Sequence, residues 1–180
     1  MKKTLLAICI VCAAVISGNA QSKIGVQGAL NASGVRGNSN VDGILSFQAG
    51  LVGDIDFTEN VFITSGVLYT DNGWKLHSII DDAAIKNTKK NFGYVPVPIC
   101  IGGKFNPIDD VALFAQAGAY GAYCLTDKIG EERWDYGLTA GIGSYLLDRI
   151  KIGIYYDLGL KEVQYDTKWS NLHIGAAYYF

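Results

Sequence analysis

Past the first twenty residues, apolar and polar positions alternate with a period of two, and turn-forming residues punctuate the runs. From Ile150 to Leu160 the series Ile150, Ile152, Ile154, Tyr156, Leu158 and Leu160 stands against Lys151, Gly153, Tyr155, Asp157 and Gly159. No helix keeps that period, because its side chains return every 3.6 residues. Leu45, Phe47, Ala49, Leu51, Ile55 and Phe57 likewise oppose Ser46, Gln48, Gly50, Asp54 and Asp56. At the end of the chain Leu172, Ile174, Ala176, Tyr178 and Phe180 oppose Asn171, His173, Gly175 and Tyr179. Comparable runs at 23–31, 61–70, 92–105, 111–125 and 134–146 bring the count to eight. An even number of strands closes an up-and-down barrel with both termini on one side. The fold class expected is all-β, an eight-stranded antiparallel up-and-down transmembrane β-barrel.

The connections alternate in length. Short links are expected at 58–60, 106–110 and 147–149, and long polar ones at 32–42, 71–91, 126–133 and 162–168. Short periplasmic turns facing long external loops are the asymmetry of an outer-membrane barrel. Trp74, Trp134 and Trp169 each fall between a strand and a long loop, where they would form an outer interfacial girdle. Phe57, Phe62, Phe105 and Phe180 fall near the short turns and would form the inner one.

Periodicity alone leaves inside and outside open, so a soluble lipocalin-like ligand-binding barrel is the structural rival. The polar face decides between them. Gln27, Ser46, Gln48, Asp54, Lys104, Gln116, Thr139, Lys151, Asp157 and His173 are interleaved with many glycines. A narrow lumen requires small residues beside mutually paired polar ones, whereas a solvated exterior carries more charge.

The leader agrees with export. Lys2 and Lys3 precede an apolar run from Leu5 to Ile16, then Gly18-Asn19-Ala20, the layout of a cleaved secretory signal, so the domains expected are 1–20 as signal peptide and 21–180 as barrel. Ile8 before Cys9 and Val11 before Cys12 argue against a lipid-anchored cysteine. Without Lys2 and Lys3 the balance changes from 15 basic and 17 acidic groups to 13 and 17, a mildly acidic protein with nothing to attract nucleic acid. Beyond the leader no apolar run reaches the length of a spanning helix, so any span is built from strands. Cys100 and Cys124 remain after cleavage. With a turn near Ile108, Cys100 would lie opposite about position 116 and Cys124 opposite about position 92, too far apart for a disulfide by strand rise.

The stretch Tyr94-Val95-Pro96-Val97-Pro98, then Gly103-Lys104-Phe105, then Leu113-Phe114-Ala115-Gln116-Ala117-Gly118-Ala119-Tyr120-Gly121, resembles the PorT-like outer-membrane β-barrels of Bacteroidetes-type bacteria. More distantly the chain is similar to small OmpX and OmpA-type barrels. The resemblance covers essentially the whole mature chain and implies a barrel in the bacterial cell outer membrane. It implies no catalytic residue, because its motifs are structural. Some members are implicated in protein secretion. The ending Ile174-Gly175-Ala176-Ala177-Tyr178-Tyr179-Phe180 resembles the C-terminal signal read by outer-membrane assembly machinery, with Tyr178 and Phe180 as its aromatic positions.

Pro96 and Pro98 stand two apart, so their missing N–H groups face the same neighbouring strand. Two gaps in one ladder are expected, toward the outer rim. In the lumen, Gln48, Asp54, Lys104, Lys151, Asp157 and His173 are expected to form a polar network, joined by Asp56 and Lys161. Eight strands leave an interior that side chains fill, which excludes a wide solute pore.

Catalysis and metal binding find little support. His77 and His173 are the two histidines, with no nucleophile elbow and no ligand spacing to Cys100 or Cys124, so no cofactor is expected. The segment 71–91 is the most individual connection. Within it Ser78-Ile79-Ile80-Asp81 matches a helix cap, with Ile79, Ile80, Ala83 and Ala84 on one helical face. Lys86, Lys89 and Lys90 are candidate contacts for lipopolysaccharide or a secretion or surface protein, against the plainer reading of a solvated charge run. The function expected is a structural or surface-interaction barrel among outer-membrane lipids, with a lipid-modifying outer-membrane enzyme as the alternative.

Overall fold

The computed structural model describes residues 21–36, 41–80, 84–126, 133–164 and 167–180, so the leader expected at 1–20 lies outside the described residues. Eight strands follow in chain order: β1 (Gln21–Arg36), β2 (Val41–Asp56), β3 (Val61–Ile80), β4 (Ala84–Ile108), β5 (Val111–Cys124), β6 (Trp134–Leu146), β7 (Ile150–Gln164) and β8 (Thr167–Tyr179). Each pairs antiparallel with its neighbour in sequence, and β8 returns to β1, closing the barrel. Closure removes every free edge along the shared length of the wall.

The alternation separates an apolar exterior from a polar lumen. Ile142 lies opposite Ile154, Ile154 opposite Ile174, Ile174 opposite Leu30, and Leu30 opposite Phe47. All five are exposed, between 48% and 64%, so an unbroken row of large aliphatic and aromatic side chains crosses five adjacent strands. Water would not tolerate such a belt; lipid acyl chains solvate it. The opposite parity buries Asn31, Gln48, Asp54, Thr139, Lys151 and His173. That is the reverse of a lipocalin, whose apolar face lines the interior. Among the described residues no helix is long and apolar enough to cross a membrane. The strands, of 13 to 25 residues, all exceed the span of the bilayer.

The inner turns are tight. Between β6 and β7, Leu147 and Asp148 both take positive φ (52° and 55°), and Arg149 N donates to Leu146 O at 3.2 Å, the geometry of a type I′ hairpin turn. Between β2 and β3, Thr58 Oγ1 accepts from Val61 N at 3.0 Å and from Asn60 N at 3.3 Å, holding the turn from within.

The outer connections differ from the expectation. The segment 71–91 is continuous strand on either side of 81–83: β3 runs on to Ile80, β4 starts at Ala84, and the ladder continues from Thr70↔Tyr94 to Ile80↔Ala84. The expected helix is therefore absent at 78–80 and at 84. Two other outer links shorten in the same way, since β1 reaches Arg36 before β2 starts at Val41 and β7 reaches Gln164 before β8 starts at Thr167, whereas the link expected at 126–133 keeps its length between Cys124 and Trp134. Two paired strands satisfy each other's backbone groups beyond the bilayer as well as inside it, so the ladders continue past the apolar belt.

Pro96 and Pro98 do open one ladder. β4 stays in register with β5 through Pro96↔Ala122 and Pro98↔Tyr120. On the other side, pairing with β3 stops at Ser65↔Ile99 and resumes at Thr70↔Tyr94. The gap is thus internal, flanked by paired residues on both sides rather than placed at the rim. Ser65 Oγ crosses the seam and donates to Pro98 O at 2.9 Å.

Cys100 and Cys124 are free thiols, both buried. Cys100 lies opposite Gly118 and Cys124 opposite Tyr94, six positions apart along β5 where eight were expected. The difference comes from the tight turn at Asp109-Asp110 and an irregularity between Phe105 and Ile108, which move the hairpin centre toward β5.

Candidate functional site

The inner half of the lumen is built around Asp54. Its Oδ1 accepts from Thr64 Oγ1 at 2.6 Å and its Oδ2 from Tyr145 Oη at 2.5 Å. Lys151 Nζ stands 3.4 Å from Asp54 Oδ2 and donates to Thr64 Oγ1 at 3.0 Å. The ammonium also lies 4.8 Å from the ring centres of Phe62 and Phe114. Desolvated this way, the cation is held by one carboxylate and by aromatic faces together. Beside it Lys104 pairs with Asp56 and sits 4.8 Å from the Tyr145 ring centre.

Glycines make room for these rings. A Cβ on Gly102 would lie 2.3 Å from Phe62 Cζ, and one on Gly141 would lie 2.2 Å from Tyr155 Cδ1. Phe62, Tyr145, Tyr179 and Lys151 are each less than 3% exposed, so side chains fill this level of the barrel and leave no wide channel.

The outer half is more polar. His173 Nδ1 is 3.5 Å from Asp157 Oδ2, and its ring stacks on Tyr155 at 5.0 Å. Gln48 is buried opposite Thr70, and Thr70 Oγ1 accepts from Asn31 Nδ2 at 2.7 Å. Tyr120 Oη donates to Asp135 Oδ2 at 3.4 Å. Six residues expected in the lumen network thus fall into separate groups: Asp54 with Lys151, Lys104 with Asp56, Asp157 with His173, and Gln48 apart from them. Sequence reasoning missed Asn31, Thr64, Thr70, Asp135 and Tyr145, which share the inward parity of their strands, and it placed Asn171 on the His173 face without counting it in the network. Lys161 donates to Trp134 O at 2.7 Å, outside the Asp54 group.

Aromatic positions are mixed. Trp134 opens β6, is 60% exposed, and packs edge-on against Tyr123 at 5.0 Å. Trp74 lies inside continuous β3, opposite Gly43 and Lys90, rather than at a strand end; Trp169 is the third residue of β8, opposite Val35. The side chains of both lie outside the described residues. At the inner end Phe57, Phe105 and Phe180 are exposed, but Phe62 is buried in the lumen, because it has the parity of Thr64 and fills the space above Gly102. Tyr178 and Phe180 face outward with rings 5.8 Å apart, and Phe180 N donates to Ile24 O at 2.9 Å, carrying the closing ladder to the last residue.

Outside the wall the β3–β4 hairpin is the longest feature. β5 accompanies β4 as far as Tyr94↔Cys124, and Leu125 N and Thr126 Oγ1 still reach Gly93, so among the described residues β4 from Ala84 to Phe92 pairs with β3 alone. Its sequence, Ala84-Ile85-Lys86-Asn87-Thr88-Lys89-Lys90-Asn91-Phe92-Gly93, has three lysines and no acidic residue. His77 and Ser78 lie at paired positions in this hairpin, opposite Asn87 and Lys86.

Three solved structures are similar to this chain. Neisserial surface protein A is 13% identical with a TM-score of 0.60, over 91% of this chain and 100% of that one. OprG from Pseudomonas aeruginosa is 12% identical with a TM-score of 0.53, over 88% and 95%. Ail, the attachment invasion locus protein of Yersinia pestis, solved with the heparin analogue sucrose octasulfate, is 17% identical with a TM-score of 0.50, over 91% and 100%. No curated protein matches the chain in sequence. The family model described as "Outer membrane protein beta-barrel domain" matches residues 19–164. With its lipid-facing belt and filled lumen, the chain belongs to that family, the outer membrane protein β-barrel domains, and resides in the bacterial outer membrane.

Proposed function

We propose that this barrel serves surface interaction, with the β3–β4 hairpin as its contact element and the anionic sugar-phosphate groups of lipopolysaccharide as its partner. The observation that carries this reading is the outer stretch of β4, paired among the described residues with β3 alone and containing Lys86, Lys89 and Lys90 without an acidic residue. A strand with three lysines and, among the described residues, one ladder partner offers backbone donors and positive charge of the kind anionic groups bind. In the test, the barrel is reconstituted in phospholipid liposomes and titrated with lipopolysaccharide. The triple variant Lys86→Glu, Lys89→Glu and Lys90→Glu is expected to bind at least tenfold more weakly. Unchanged binding would overturn the reading.

The finer family reading is PorT-like, supported by Tyr94–Pro98 and Leu113–Gly121. It offers a secretion or surface protein as the second occupant of the same hairpin. An enzymatic role is less well supported. A lipid-modifying site needs its histidine open to lipid, and His173 is 5% exposed inside the lumen. We also assign 1–20 to a signal cleaved after Ala20, which the intact mass of the membrane-extracted chain reads directly.

Tyr178 and Phe180 are proposed as the assembly signal, supported by their outward faces and by the bond from Phe180 N to Ile24 O. Deleting Phe180 is expected to lower the membrane-inserted fraction several-fold, measured by the heat-modifiable gel shift of the outer-membrane fraction. Insertion equal to that of a chain lacking Asn87 would refute this role. Trp134, with Trp74 and Trp169, is assigned to the outer interface, and the polar groups of the lumen to holding the barrel's shape.

A further inference from the structure

On the outer side of the aromatic cluster the lumen encloses a small cavity with about 20 Å³ open to the centre of a water molecule. Its wall includes Asn31, Gln48, Tyr120, Asp135, Asp157 and Asn171. Six different strands supply these side chains through the barrel's register: Asn171 lies opposite Asp157, Gln48 opposite Thr70, and Asn31 opposite His173. Asn31, Gln48 and Asn171 are 1%, 5% and 6% exposed, and the side-chain oxygen of each has no hydrogen-bond partner. A buried amide oxygen left so costs free energy that a ligand would recover. Native cores leave few buried acceptors unpaired, and here three of them share one small wall.

The charge around the cavity is also one-sided. Asp135 and Asp157 both line it. Tyr120 Oη reaches Asp135, and His173 stands 3.5 Å from Asp157 Oδ2. Lys161 is the nearby cation on the Asp135 side, with its ammonium donating to the Trp134 carbonyl. Water would donate hydrogens to the amide and carboxylate oxygens alike, but it brings no positive charge to balance the two carboxylates. A metal cation answers both needs. Amide and carboxylate oxygens, with no thiolate, form the donor set of hard cations, and a space about the size of one water suits a single bare ion.

We propose that the outer lumen is a binding site for one hard, oxygen-seeking metal cation of the Ca²⁺ class, held by Asn31, Gln48, Asn171 and the carboxylates of Asp135 and Asp157. The ion ties β1, β2, β6, β7 and β8 together above the Asp54 group. It couples the rigidity of the external half of the barrel to the cation content of the medium, independently of the hairpin and its lipopolysaccharide.

Terbium is a suitable probe, because Tyr120 stands at the wall and its ring can sensitise the lanthanide. The folded full barrel in detergent micelles, titrated with Tb³⁺ under tyrosine excitation, is expected to give emission that saturates at one ion per chain. Ca²⁺ should compete it away. Asn171→Leu and Asp135→Asn should each weaken the site at least tenfold. Asp148→Asn, at an exposed inner turn, should leave it unchanged. If Asn171→Leu fails to fold, Gln48→Met reads the same oxygen set from another strand. Absence of saturable emission, or emission indifferent to these lumen variants, would overturn the proposal and leave the oxygens to ordered water.

Discussion

Replacing Asp54 by Ala is expected to destabilise the folded barrel by about 3–5 kcal/mol, the cost of leaving a buried partner charge uncompensated. Asp54 and Lys151 are 1% and 2% exposed, and Lys151 Nζ is enclosed by Phe62, Phe114 and Tyr145. Without the carboxylate, Thr64 and Tyr145 lose their acceptor and the ammonium keeps only the threonine hydroxyl and three ring faces. Urea titration of the barrel in lipid vesicles, followed by tryptophan fluorescence, measures the loss. The double variant Asp54→Leu with Lys151→Met should recover part of it, because no buried charge is left uncompensated although the Thr64 and Tyr145 hydroxyls still lack their acceptor. A single variant within about 1 kcal/mol of the parent, the size of a surface ion pair, would show that the pair carries little.

The second large effect is expected at Gly102. An Ala there puts Cβ against Phe62, whose three ring atoms nearest the site lie 2.3, 2.6 and 2.9 Å away. Phe62 cannot step aside cheaply. It is fully buried, packs edge-on to Phe114 and Tyr145 at 6.1 and 5.8 Å, and has both ammonium groups over its ring. Overpacking of this kind costs about 1–3 kcal/mol. Phe62→Leu in the Gly102→Ala background should restore part of the stability, giving a coupling energy between two positions forty residues apart in sequence. Gly28→Ala is the control, since a Cβ there meets nothing within 4 Å. Equal losses at Gly28 and Gly102 would mean that strand glycines matter through the backbone rather than through the space they leave.

These residues also show what the sequence could carry. Parity was readable wherever the two faces of a strand meet different media, as along Ile150–Leu160, because lipid and lumen select opposite chemistries at alternate positions. That signal weakens beyond the bilayer, where both faces of a hairpin meet water. Ile79, Ile80, Ala83 and Ala84 fit a helical face in sequence, and the ladder that pairs Ile79 with Ile85 and Ile80 with Ala84 was hidden. The pairing of Asp54 with Lys151 was only half readable. Both were on the inward face, yet they are 97 positions apart, and their meeting depends on strand registers that the alternation does not specify. Tyr145 was missed for a simpler reason: an aromatic on a glycine-rich strand looks lipid-facing until the glycines at 141 and 143 are recognised as space for inward rings.

The interrupted pairing between Gly66–Tyr69 and Val95–Pro98 gives the cylinder a built-in line of mechanical weakness. The β2–β3 joint is irregular between Gly43 and Gln48 and the β7–β8 joint between Leu158 and Gln164, whereas this one lies between two regular ladders and relies for four residues on each strand on Ser65 reaching Pro98. Strain applied around the circumference concentrates there, much as a stitched tube tears first where stitches were skipped. The barrel therefore has a preferred direction of give, set by two missing amide hydrogens.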